Sequence, residues 1–397
     1  MNTPAITRDI QYHPAIGDQA RSINVLHIIC SLPVGGAENQ VVTLASALHK
    51  ENHEVHVCCL RREGAQATTL QGRGIPVFAL HMRKRYLPIG LYRLYRLMKR
   101  VKPQIVHTHL GEADLWGKLV GRLAGVPVIL STLHGMPPQN QRYQWFIERF
   151  ANRYADKIIA VSEEIRQCYL ANRAAPPEKI ITIPTTVDTD KFRAVDSRNQ
   201  TRRQLGVEPS CPLIGVVARL VPEKRLDIFL EAAQKIREVV PSARFLIIGD
   251  GPLRKELHDR AAQLGLVPDC VAFLGSRQDI PDLLSALDIF VLSSETEGLP
   301  VSMLEAMAAS RPMVVTRVGA IPQVIQDGCN GLLVSPHDPH ALAKAVLRIL
   351  EDGVLRESVS REACRTVEAG FSTTVVTRRI VALYNALLEK RQGNLVS

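Results

Sequence analysis

The stretch IFVLSSETEGLPVSMLEAMA, residues 289–308, indicates how this chain folds. An apolar run from Ile289 leads into a polar loop that contains Glu297, and Pro300 then stands where a helix favours its first residue. We predict a helix from about Val301 to Ala309. A strand followed at once by a helix is the repeating unit of a parallel sheet that helices cover on both faces.

The same pattern of strand, loop and helix recurs on both sides of this stretch. In the first half the predicted strands are Ile23–Cys30, Glu54–Leu60, Ile105–His109 and Val126–Thr132, and the predicted helices are Ala37–His49, Leu87–Lys102 and Asp114–Ala124. In the second half the predicted strands are Leu213–Ala218, Arg244–Ile248, Cys270–Leu274, Ile289–Ser293, Met313–Val318 and Gly331–Val334. The fold class is therefore α/β, with two doubly wound, Rossmann-like domains.

Length and local composition divide the chain. With 397 residues it suits two domains better than one, and the polar, basic stretch Asp196–Arg203 is a reasonable boundary. We predict a loose tail at 1–20, domains at 21–195 and 196–375, and a terminal helix at 376–397. That helix follows another and has no strand after it, so packing back onto the first domain is one plausible use.

The charge is uneven, which indicates an anionic partner. Residues 1–195 hold 25 Lys and Arg against 15 Asp and Glu (25 − 15 = +10), whereas residues 196–397 hold 24 of each (24 − 24 = 0). Nucleotide sugars, phospholipid headgroups and nucleic acids all fit such a charge. We find no signal pattern and no membrane-spanning run, and therefore expect a cytoplasmic protein. The eight cysteines are scattered without a metal-binding spacing, which argues against structural zinc.

Two acidic residues flank a predicted anion site. The free N–H groups of the helix after Pro300 favour an anion such as a diphosphate. Glu297 lies before this helix and Glu305 on it, where carboxylates suit the hydroxyl groups of a sugar better than phosphate. For an isolated pair, the alternative is that Glu297 caps the helix and Glu305 lies on a solvated face.

A second candidate group follows the first strand of the second domain. Arg219 and Lys224, in VARLVPEKRLD at 217–227, are placed to bind a diphosphate and offset the charge that develops on it. No metal is then required. The alternative is a solvated basic loop. In IIGDGPLRKEL at 247–257, Gly249 and Gly251 permit close backbone approach, although a simple tight turn explains them equally well.

Candidate residues of the first domain lie after its strands. Gly35 and Gly36 precede a helix and either admit a phosphate or acceptor or form a plain turn. His107 and His109 end one strand and His134 ends the next. Three histidines at the carboxyl edge of one sheet leave two interpretations open, a lined cleft and a purely structural role.

Together these stretches resemble glycosyltransferase family 4 over nearly the whole chain, from GGAE at Gly35 to the helix near Ile349. The most specific element is the E-x7-E spacing of Glu297 and Glu305, supported by GDGP at 249–252 and FLGSRQDIPDLLSALDIFVLSS. The resemblance implies a GT-B fold, in which the two domains face across a cleft. It also implies retaining, metal-independent transfer of a hexose or N-acetylhexosamine from a nucleotide diphosphate donor. The acceptor is then a saccharide or lipid-linked molecule in polysaccharide or glycolipid biosynthesis, and no cofactor is expected.

The resemblance also assigns roles to individual residues. Glu297 would hold hydroxyls of the donor sugar and Glu305 those of the ribose, while Arg219 and Lys224 would bind the diphosphate. His134 matches a histidine near the transferred sugar. The remaining matched positions lie in the substrate site: Gly35 and Gly36 at the phosphates, Gly275 to Arg277 facing the base, and Gly249, Gly251, Gly298, Leu299 and Pro300 around them.

One pair of residues departs from the family pattern. Thr185 and Thr186 stand where the family usually has Asn-Gly, and β-branched residues do not readily take the positive φ that Gly allows, so local geometry should differ.

The segment Met82–Lys102 contains eight basic residues and no acidic one. It either lies on an anionic membrane surface, such as the inner face of the plasma membrane, or is an ordinary helix with a solvated basic face.

Two other functions remain as alternatives at this point. A nucleotide-sugar epimerase of the same fold and a non-catalytic nucleotide-sugar-binding protein would share most of these motifs. Nucleic-acid binding fits the charge alone, because no recognisable module accompanies the basic segment. The motifs suit several donors, so the base, the sugar, the acceptor, the linkage and the oligomeric state stay open.

Overall fold

The computed structural model describes residues 22–33, 35–135, 142–193 and 197–396. The predicted tail at 1–20 lies outside the described residues, as does Asp196. The chain forms two compact units, an N-terminal unit that ends at Thr186 and also includes Thr373–Ser397, and a C-terminal unit at Val187–Ser372. The first division lies before the expected 195–196, because the short helix Thr189–Arg193 packs on helices of the second unit.

The N-terminal unit is a seven-stranded sheet with helices on both faces. Its strands are β1 (Asn24–Ile29), β2 (Glu54–Cys59), β3 (Val77–Ala79), β4 (Ile105–His109), β5 (Val128–Leu133), β6 (Lys157–Ala160) and β7 (Ile180–Thr182). Its first six helices are α1 (Gly36–Lys50), α2 (Ala67–Gly72), α3 (Leu87–Val101), α4 (Gly111–Leu123), α5 (Arg142–Asn152) and α6 (Glu163–Ala171). The strands pair in parallel in the order β3-β2-β1-β4-β5-β6-β7.

The C-terminal unit is built on a six-stranded sheet. Its strands are β8 (Leu213–Val217), β9 (Arg244–Ile248), β10 (Val271–Gly275), β11 (Ile289–Leu292), β12 (Met313–Thr316) and β13 (Leu332–Val334). Its helices are α7 (Thr189–Arg193), α8 (Arg198–Gln204), α9 (Leu226–Val239), α10 (Arg254–Gln263), α11 (Ile280–Ala286), α12 (Val301–Ala308), α13 (Ile321–Val324), α14 (Pro339–Glu351) and α15 (Gly353–Phe371). These strands are also parallel, in the order β10-β9-β8-β11-β12-β13.

The terminal helix α16 (Thr373–Val396) belongs to the N-terminal unit. It packs against α1, and its residues Val376, Ile380 and Tyr384 join the apolar core on that face of the first sheet. Their burial removes apolar surface from water, which is the main stabilising contribution of such a contact. None of the helices that the structure describes combines the length and the apolarity needed to cross a lipid bilayer.

In both units the strand order reverses at one place. On either side of that place, successive strands are added in opposite directions across the sheet. That place lies between β1 and β4 in the first sheet and between β8 and β11 in the second. Ligands of open parallel sheets bind beyond the carboxyl ends of the strands at this switch point. The loops that follow these four strands are therefore the places to examine for a site.

Candidate active site

An ion pair joins the two switch-point loops of the C-terminal unit. Lys224 lies in the 3₁₀ turn after β8, and Glu297 lies in the loop after β11. The Lys224 Nζ atom donates to Glu297 Oε1 at 2.6 Å, and the two side chains are only 17% and 7% exposed. In a partly desolvated pair of this kind each charge depends on the other, because removing one partner leaves a buried charge unpaired.

The same pair retains capacity for a ligand. Ser294 Oγ also donates to Glu297 Oε1, at 2.7 Å, so both bonds of this carboxylate fall on one oxygen. No residue in the described part of the chain hydrogen-bonds Glu297 Oε2. An ammonium group has three donors and Lys224 uses one of them on Glu297. The pair therefore offers a free carboxylate oxygen to hydroxyl groups and further donors to an anion.

Backbone contacts hold these two loops in register. Ser293 Oγ donates to the Lys224 carbonyl at 3.0 Å, and the Glu295 amide donates to the Glu223 carbonyl at 2.9 Å. Thr316 at the end of β12 adds a bond from Oγ1 to the Ser294 carbonyl at 2.7 Å. The side chains of Lys224 and Glu297 thus extend from a fixed framework, which keeps a binding geometry preorganised.

Helix α12 starts beside this pair. Pro300 is extended, with φ −70° and ψ 120°, and the helix begins at Val301, so Pro300 precedes the first helical residue instead of being it. Leu299 and Pro300 are buried, and the carbonyl of Gly298 accepts a bond from the Ala320 amide at 3.2 Å. The first N–H groups of a helix lack partners within it and carry its positive dipole end, which suits a phosphate.

Glu305 lies on α12 and is only partly exposed. Burial raises the pKa of this carboxyl to about 7, against a smaller opposing effect of the Lys191 charge. No residue within the described ranges hydrogen-bonds its side chain. A carboxyl group in this state gains most from a ligand that donates hydrogen bonds to it, because such bonds favour the ionised form.

The structure does not bring every predicted residue of this unit into contact with the pair. Arg219 is 74% exposed and pairs with Glu223 at 3.5 Å. Arg277 is exposed and donates to Asp279, with Nε 2.8 Å from Oδ1. Both guanidinium groups are exposed and paired with a nearby carboxylate, and pairs of this kind contribute little to stability.

Neighbouring backbone requires glycine at 249 and 251, whereas Gly275 has a positive φ of +67°. A Cβ atom on Gly249 would lie 1.9 Å from the carbonyl oxygen of Ala218, and one on Gly251 would lie 2.5 Å from that of Leu220. Gly249 also has φ +137°, and its amide donates to the Gly275 carbonyl at 2.9 Å. These glycines let the loops after β8, β9 and β10 stack closely at the edge of the sheet.

The switch point of the N-terminal unit contains a line of histidines. His27 Nδ1 lies 3.0 Å from His109 Nε2, and His109 Nδ1 lies 3.1 Å from His134 Nε2. His107 is bonded through Nδ1 to the Tyr384 hydroxyl on α16 and through Nε2 to Thr132 Oγ1, each at 2.7 Å.

The histidines are electrically neutral. Burial lowers the pKa of His27 to about 3 and that of His134 to about 4, where the Asp114 charge opposes the effect. Burial and the neighbouring imidazoles also lower the pKa values of His107 and His109. Of the two interpretations left open, the structural role applies to His107, which is fully buried and bonded to Tyr384. His109 and His134 border a small cavity of about 30 Å³.

Three of these histidines lie close enough together to be considered as metal ligands. One ring nitrogen from each of His27, His107 and His109 lies within 4.8 Å of the others. Both ring nitrogens of His107 and both of His109 already have protein partners. A cation there would displace these bonds. The contacts favour a hydrogen-bonded network over a metal site.

The first glycine loop is simple in geometry. Gly35 is extended, with φ −168° and ψ 163°, and α1 begins at Gly36. A Cβ atom on Gly35 would lie 2.3 Å from the Glu38 carboxylate, a contact that a flexible side chain relieves. The geometry fits the plain turn as well as a phosphate loop.

Thr185 and Thr186 show how the departure from Asn-Gly is accommodated. Neither residue has a positive φ, and both are buried. The Gln40 side chain on α1 clamps Thr186 through two bonds, from the Thr186 amide to Oε1 at 2.7 Å and from Nε2 to the Thr186 carbonyl at 2.8 Å. The side-chain amide of Gln40 therefore hydrogen-bonds both backbone polar groups of Thr186.

Two groups at these edges were missed by the sequence analysis. His27 stands in the middle of β1, and its contact with His109 depends on the pairing of β1 with β4, which no local pattern predicts. Glu148 on α5 has a buried Oε2 without a partner among the described residues, and burial together with the Asp114 charge raises its pKa to about 7. Its helix was not predicted at all.

Comparisons with known proteins agree with this geometry. A family model for Glycosyltransferase Family 4 matches residues 34–191, and one for Glycosyl transferases group 1 matches residues 211–352. The chain is 28% identical over 378 residues to the UDP-Gal:alpha-D-GlcNAc-diphosphoundecaprenol alpha-1,3-galactosyltransferase of Escherichia coli, covering 91% of this chain and 96% of that one. It is 27% identical over 322 residues to the N-acetyl-alpha-D-glucosaminyl L-malate synthase of Bacillus anthracis, covering 76% and 80%.

The fold also matches a solved structure. The crystal structure of Anabaena Alr3699/HepE in complex with UDP and glucose aligns with a TM-score of 0.82 at 22% identity, covering 92% of this chain and all of that one. At this identity the likeness concerns the fold, which is the GT-B fold of two parallel-sheet α/β units. The two family models show that the chain belongs to glycosyltransferase family 4.

Proposed function

We propose that this glycosyltransferase moves a hexose or N-acetylhexosamine from a nucleotide diphosphate donor to a saccharide or lipid-linked acceptor, with retention of configuration and without a metal. The observation that carries the proposal is the contact between Lys224 and Glu297 beside the start of α12. A cation, a carboxylate and a helix N-terminus are the three groups that a nucleotide diphosphate sugar requires at one place.

Each group has a role in this proposal. The N–H groups at the start of α12 and the ammonium group of Lys224 bind the diphosphate, and Arg219 folds over it from the exposed loop. Glu297 accepts hydrogen bonds from the donor sugar through Oε2, and Glu305 accepts them from the ribose hydroxyls. Gly249, Gly251 and Gly275 let backbone approach the ligand, and Arg277 lies on the side of the base.

The chemical step follows from the charges. As the bond between sugar and diphosphate breaks, negative charge grows on the leaving oxygen, and Lys224 and Arg219 stabilise it electrostatically. The acceptor oxygen forms a bond to the anomeric carbon on the same face of the sugar while its proton passes to the departing phosphate, so the configuration is retained. His134 remains assigned to the transferred sugar. Gly35 and Gly36 remain assigned to phosphate or acceptor.

The main test is the double variant Arg219→Ala/Lys224→Ala, assayed for sugar transfer and compared with Arg237→Ala/Arg260→Ala on other elements of the same unit. We expect the first variant to lose at least about a hundredfold in turnover, because charge stabilisation of a leaving group is usually worth that much. Both variants should keep the far-UV circular dichroism spectrum of the parent. Full transfer activity in the first variant would refute the assignment.

The donor is identified by thermal shift across UDP-, GDP- and ADP-sugars. A ligand that binds only the folded state stabilises it in proportion to its concentration over Kd. The names of relatives and neighbours, which include a UDP-Gal transferase and a protein solved with UDP and glucose, favour a UDP-sugar. A stabilisation by another nucleotide alone would exclude that choice. The epimerase alternative, which the comparisons do not favour, predicts sugar conversion without any acceptor.

The acceptor side includes a surface suited to an anionic membrane. Helix α3 buries Leu94, Leu97 and Met98 but leaves Ile89 and Tyr92 more than half exposed, at 53% and 59%. Exposed basic side chains surround them: Arg83, Arg85, Arg93, Arg96, Lys99, Arg100 and Lys102. Cationic side chains next to exposed aromatic and aliphatic ones are typical of helices that lie in a membrane interface. We propose that this face holds the enzyme at the inner face of the plasma membrane, near a lipid-linked acceptor.

Co-sedimentation with liposomes tests the membrane contact. Liposomes that contain anionic lipid should bind the protein, neutral ones should not, and Arg93→Glu/Arg96→Glu should abolish binding. A double variant on the C-terminal unit, Lys235→Glu/Lys344→Glu, is the matched control and should bind as the parent does. Equal binding to neutral and anionic liposomes would exclude the electrostatic contact.

A further inference from the structure

Three imidazole rings of the N-terminal unit form a hydrogen-bonded chain that ends at His134. His27 on β1 contacts His109 on β4 at 3.0 Å, and His109 contacts His134 after β5 at 3.1 Å. The pairing of β1 with β4 and of β4 with β5 puts these rings on one face of the sheet. His27 and His109 are 0% and 1% exposed, so solvent does not bond to them.

A neutral imidazole has one N–H group and one bare nitrogen, so the protons in this chain are coupled. If His27 donates from Nδ1, then His109 accepts at Nε2, donates from Nδ1, and His134 accepts at Nε2. His134 then carries its proton on Nδ1. In the opposite direction every proton moves to Nε2, and His134 presents a bare Nδ1 instead.

The surroundings of His27 determine which of the two directions is more stable. His27 Nε2 is buried and has no hydrogen-bond partner among the described residues. In the second direction this atom would be an orphaned N–H group, which carries the full desolvation penalty of an unsatisfied buried donor. In the first direction it is an unused acceptor, which buried structures tolerate more readily than an unused N–H group. The first direction is therefore the more stable one.

We propose that His27 and His109 are positioning residues that hold His134 in the Nδ1–H tautomer, so that His134 offers a hydrogen-bond donor to a substrate oxygen. No residue in the described ranges occupies His134 Nδ1, which leaves that N–H for a ligand. The identity of the ligand as a sugar rests on the proposed function, whereas the tautomer does not. A fixed neutral donor binds a hydroxyl or glycosidic oxygen without adding positive charge beside the reacting sugar.

Nitrogen NMR of the full-length, ¹⁵N-labelled protein without ligand tests the tautomer directly. Long-range correlations between ring protons and nitrogens distinguish Nδ1–H from Nε2–H imidazoles. We expect the Nδ1–H pattern for all three rings, His27, His109 and His134. The Nε2–H pattern at His134 overturns the proposal, whatever the activity of the enzyme.

Two variants of the central ring test the consequence for His134. In His109→Leu the donor to His134 Nε2 is lost, and we expect His134 to shift toward Nε2–H and turnover to fall about tenfold, as for the loss of one hydrogen bond in the transition state. In His109→Gln the amide nitrogen can still donate, so the Nδ1–H pattern and most of the turnover should return. An Nδ1–H pattern with full turnover in His109→Leu would refute the relay.

Failure of the tautomer proposal and failure of the proposed function give different experimental results. If the wild-type rings show Nδ1–H but no donor and acceptor pair yields a product, the proposed function fails and the relay stands. If transfer is measured but His134 is Nε2–H, the relay fails and the proposed function stands. Because the wild-type spectrum decides the tautomer, the test remains valid even where His109→Leu does not fold.

Discussion

The two units of this enzyme share the order of their first six strands, but the switch point is charged in one unit and neutral in the other. In the C-terminal unit the loops after β8 and β11 carry the charged pair Lys224 and Glu297. In the N-terminal unit β1 and β4 carry His27, His107 and His109, which burial keeps neutral. The same backbone plan thus supports a charged site in one unit and an uncharged network in the other.

Different interactions organise the side chains at the two sheet edges. At the C-terminal edge, Glu297 keeps one carboxylate oxygen and Lys224 keeps N–H donors that a ligand can bond. The N-terminal network is closed by the protein itself, because Tyr384 of α16 covers His107. A site that binds a diphosphate needs free charge, whereas a network that orients one histidine needs burial. The following predictions test this contrast, from the largest expected effect to the smallest.

The charged edge is tested first by Glu297→Gln. The substitution keeps the shape but removes the charge, which leaves Lys224 without its counter-ion and weakens the acceptor for sugar hydroxyls. We expect kcat/KM for the donor to fall about a hundredfold, or about 2.7 kcal/mol. The control is Glu295→Gln, two residues earlier in the same loop and 48% exposed, which should change kcat/KM less than threefold. Similar losses in both variants would contradict a specific role of Glu297.

The stacking of loops at the same edge is tested by Gly251→Ala. The added Cβ atom would lie 2.5 Å from the Leu220 carbonyl oxygen, so the loops after β8 and β9 must separate. We expect a loss of about 1–3 kcal/mol in the free energy of unfolding and weaker donor binding. Gly370→Ala on α15 is the control, because nothing lies within 4 Å of its Cβ atom and alanine suits a helix. Denaturant unfolding of both variants measures the difference.

The neutral edge is tested by Tyr384→Phe. Loss of the hydroxyl leaves His107 Nδ1 buried without a partner, and we expect the free energy of unfolding to fall by about 1–3 kcal/mol. Donor affinity should stay unchanged, because Tyr384 belongs to the other unit. Tyr92→Phe removes an exposed hydroxyl and should change neither quantity. A drop in donor affinity with unchanged stability would contradict the separation of the two roles.

The smallest effect concerns protons at Glu305. Burial raises the pKa of Glu305 to about 7. At a pH between the usual carboxyl pKa and 7, the folded protein therefore keeps a proton that the unfolded chain has already released. The contribution of Glu305 to the free energy of unfolding is largest below the usual carboxyl pKa, falls as the pH rises to about 7 and stays low above that pH. Ribose hydroxyls that bond to the carboxylate lower its pKa again, so donor binding at pH 7 should release up to about half a proton.

Calorimetry in buffers of different ionisation enthalpy measures that release. Glu305→Gln has no proton to release and should show the same binding enthalpy in every buffer. It should also lose the decline of stability between acidic and neutral pH. Proton release of equal size in the parent and in Glu305→Gln would show that the proton comes from another group.

Most of the fold was predictable because hydrophobic runs mark buried strands. The strands Ile105–His109 and Arg244–Ile248 were predicted to the residue, and the helix after Pro300 ends one residue earlier than expected. The prediction missed β3, β6 and β7, two of them three residues long. Such short strands are stabilised by pairing with a neighbour, and a local pattern carries little of that information.

What the sequence by itself determined is the chemistry: the E-x7-E spacing, the cations after the first strand of the second half, and the glycines at strand ends. Only the tertiary structure decided which groups meet. Lys224 and Glu297 lie far apart in the chain and touch because β8 pairs with β11. His27, His109 and Tyr384 come together through strand pairing and the return of α16. Side-chain types are local facts, whereas contacts and pKa values depend on the packing of distant segments.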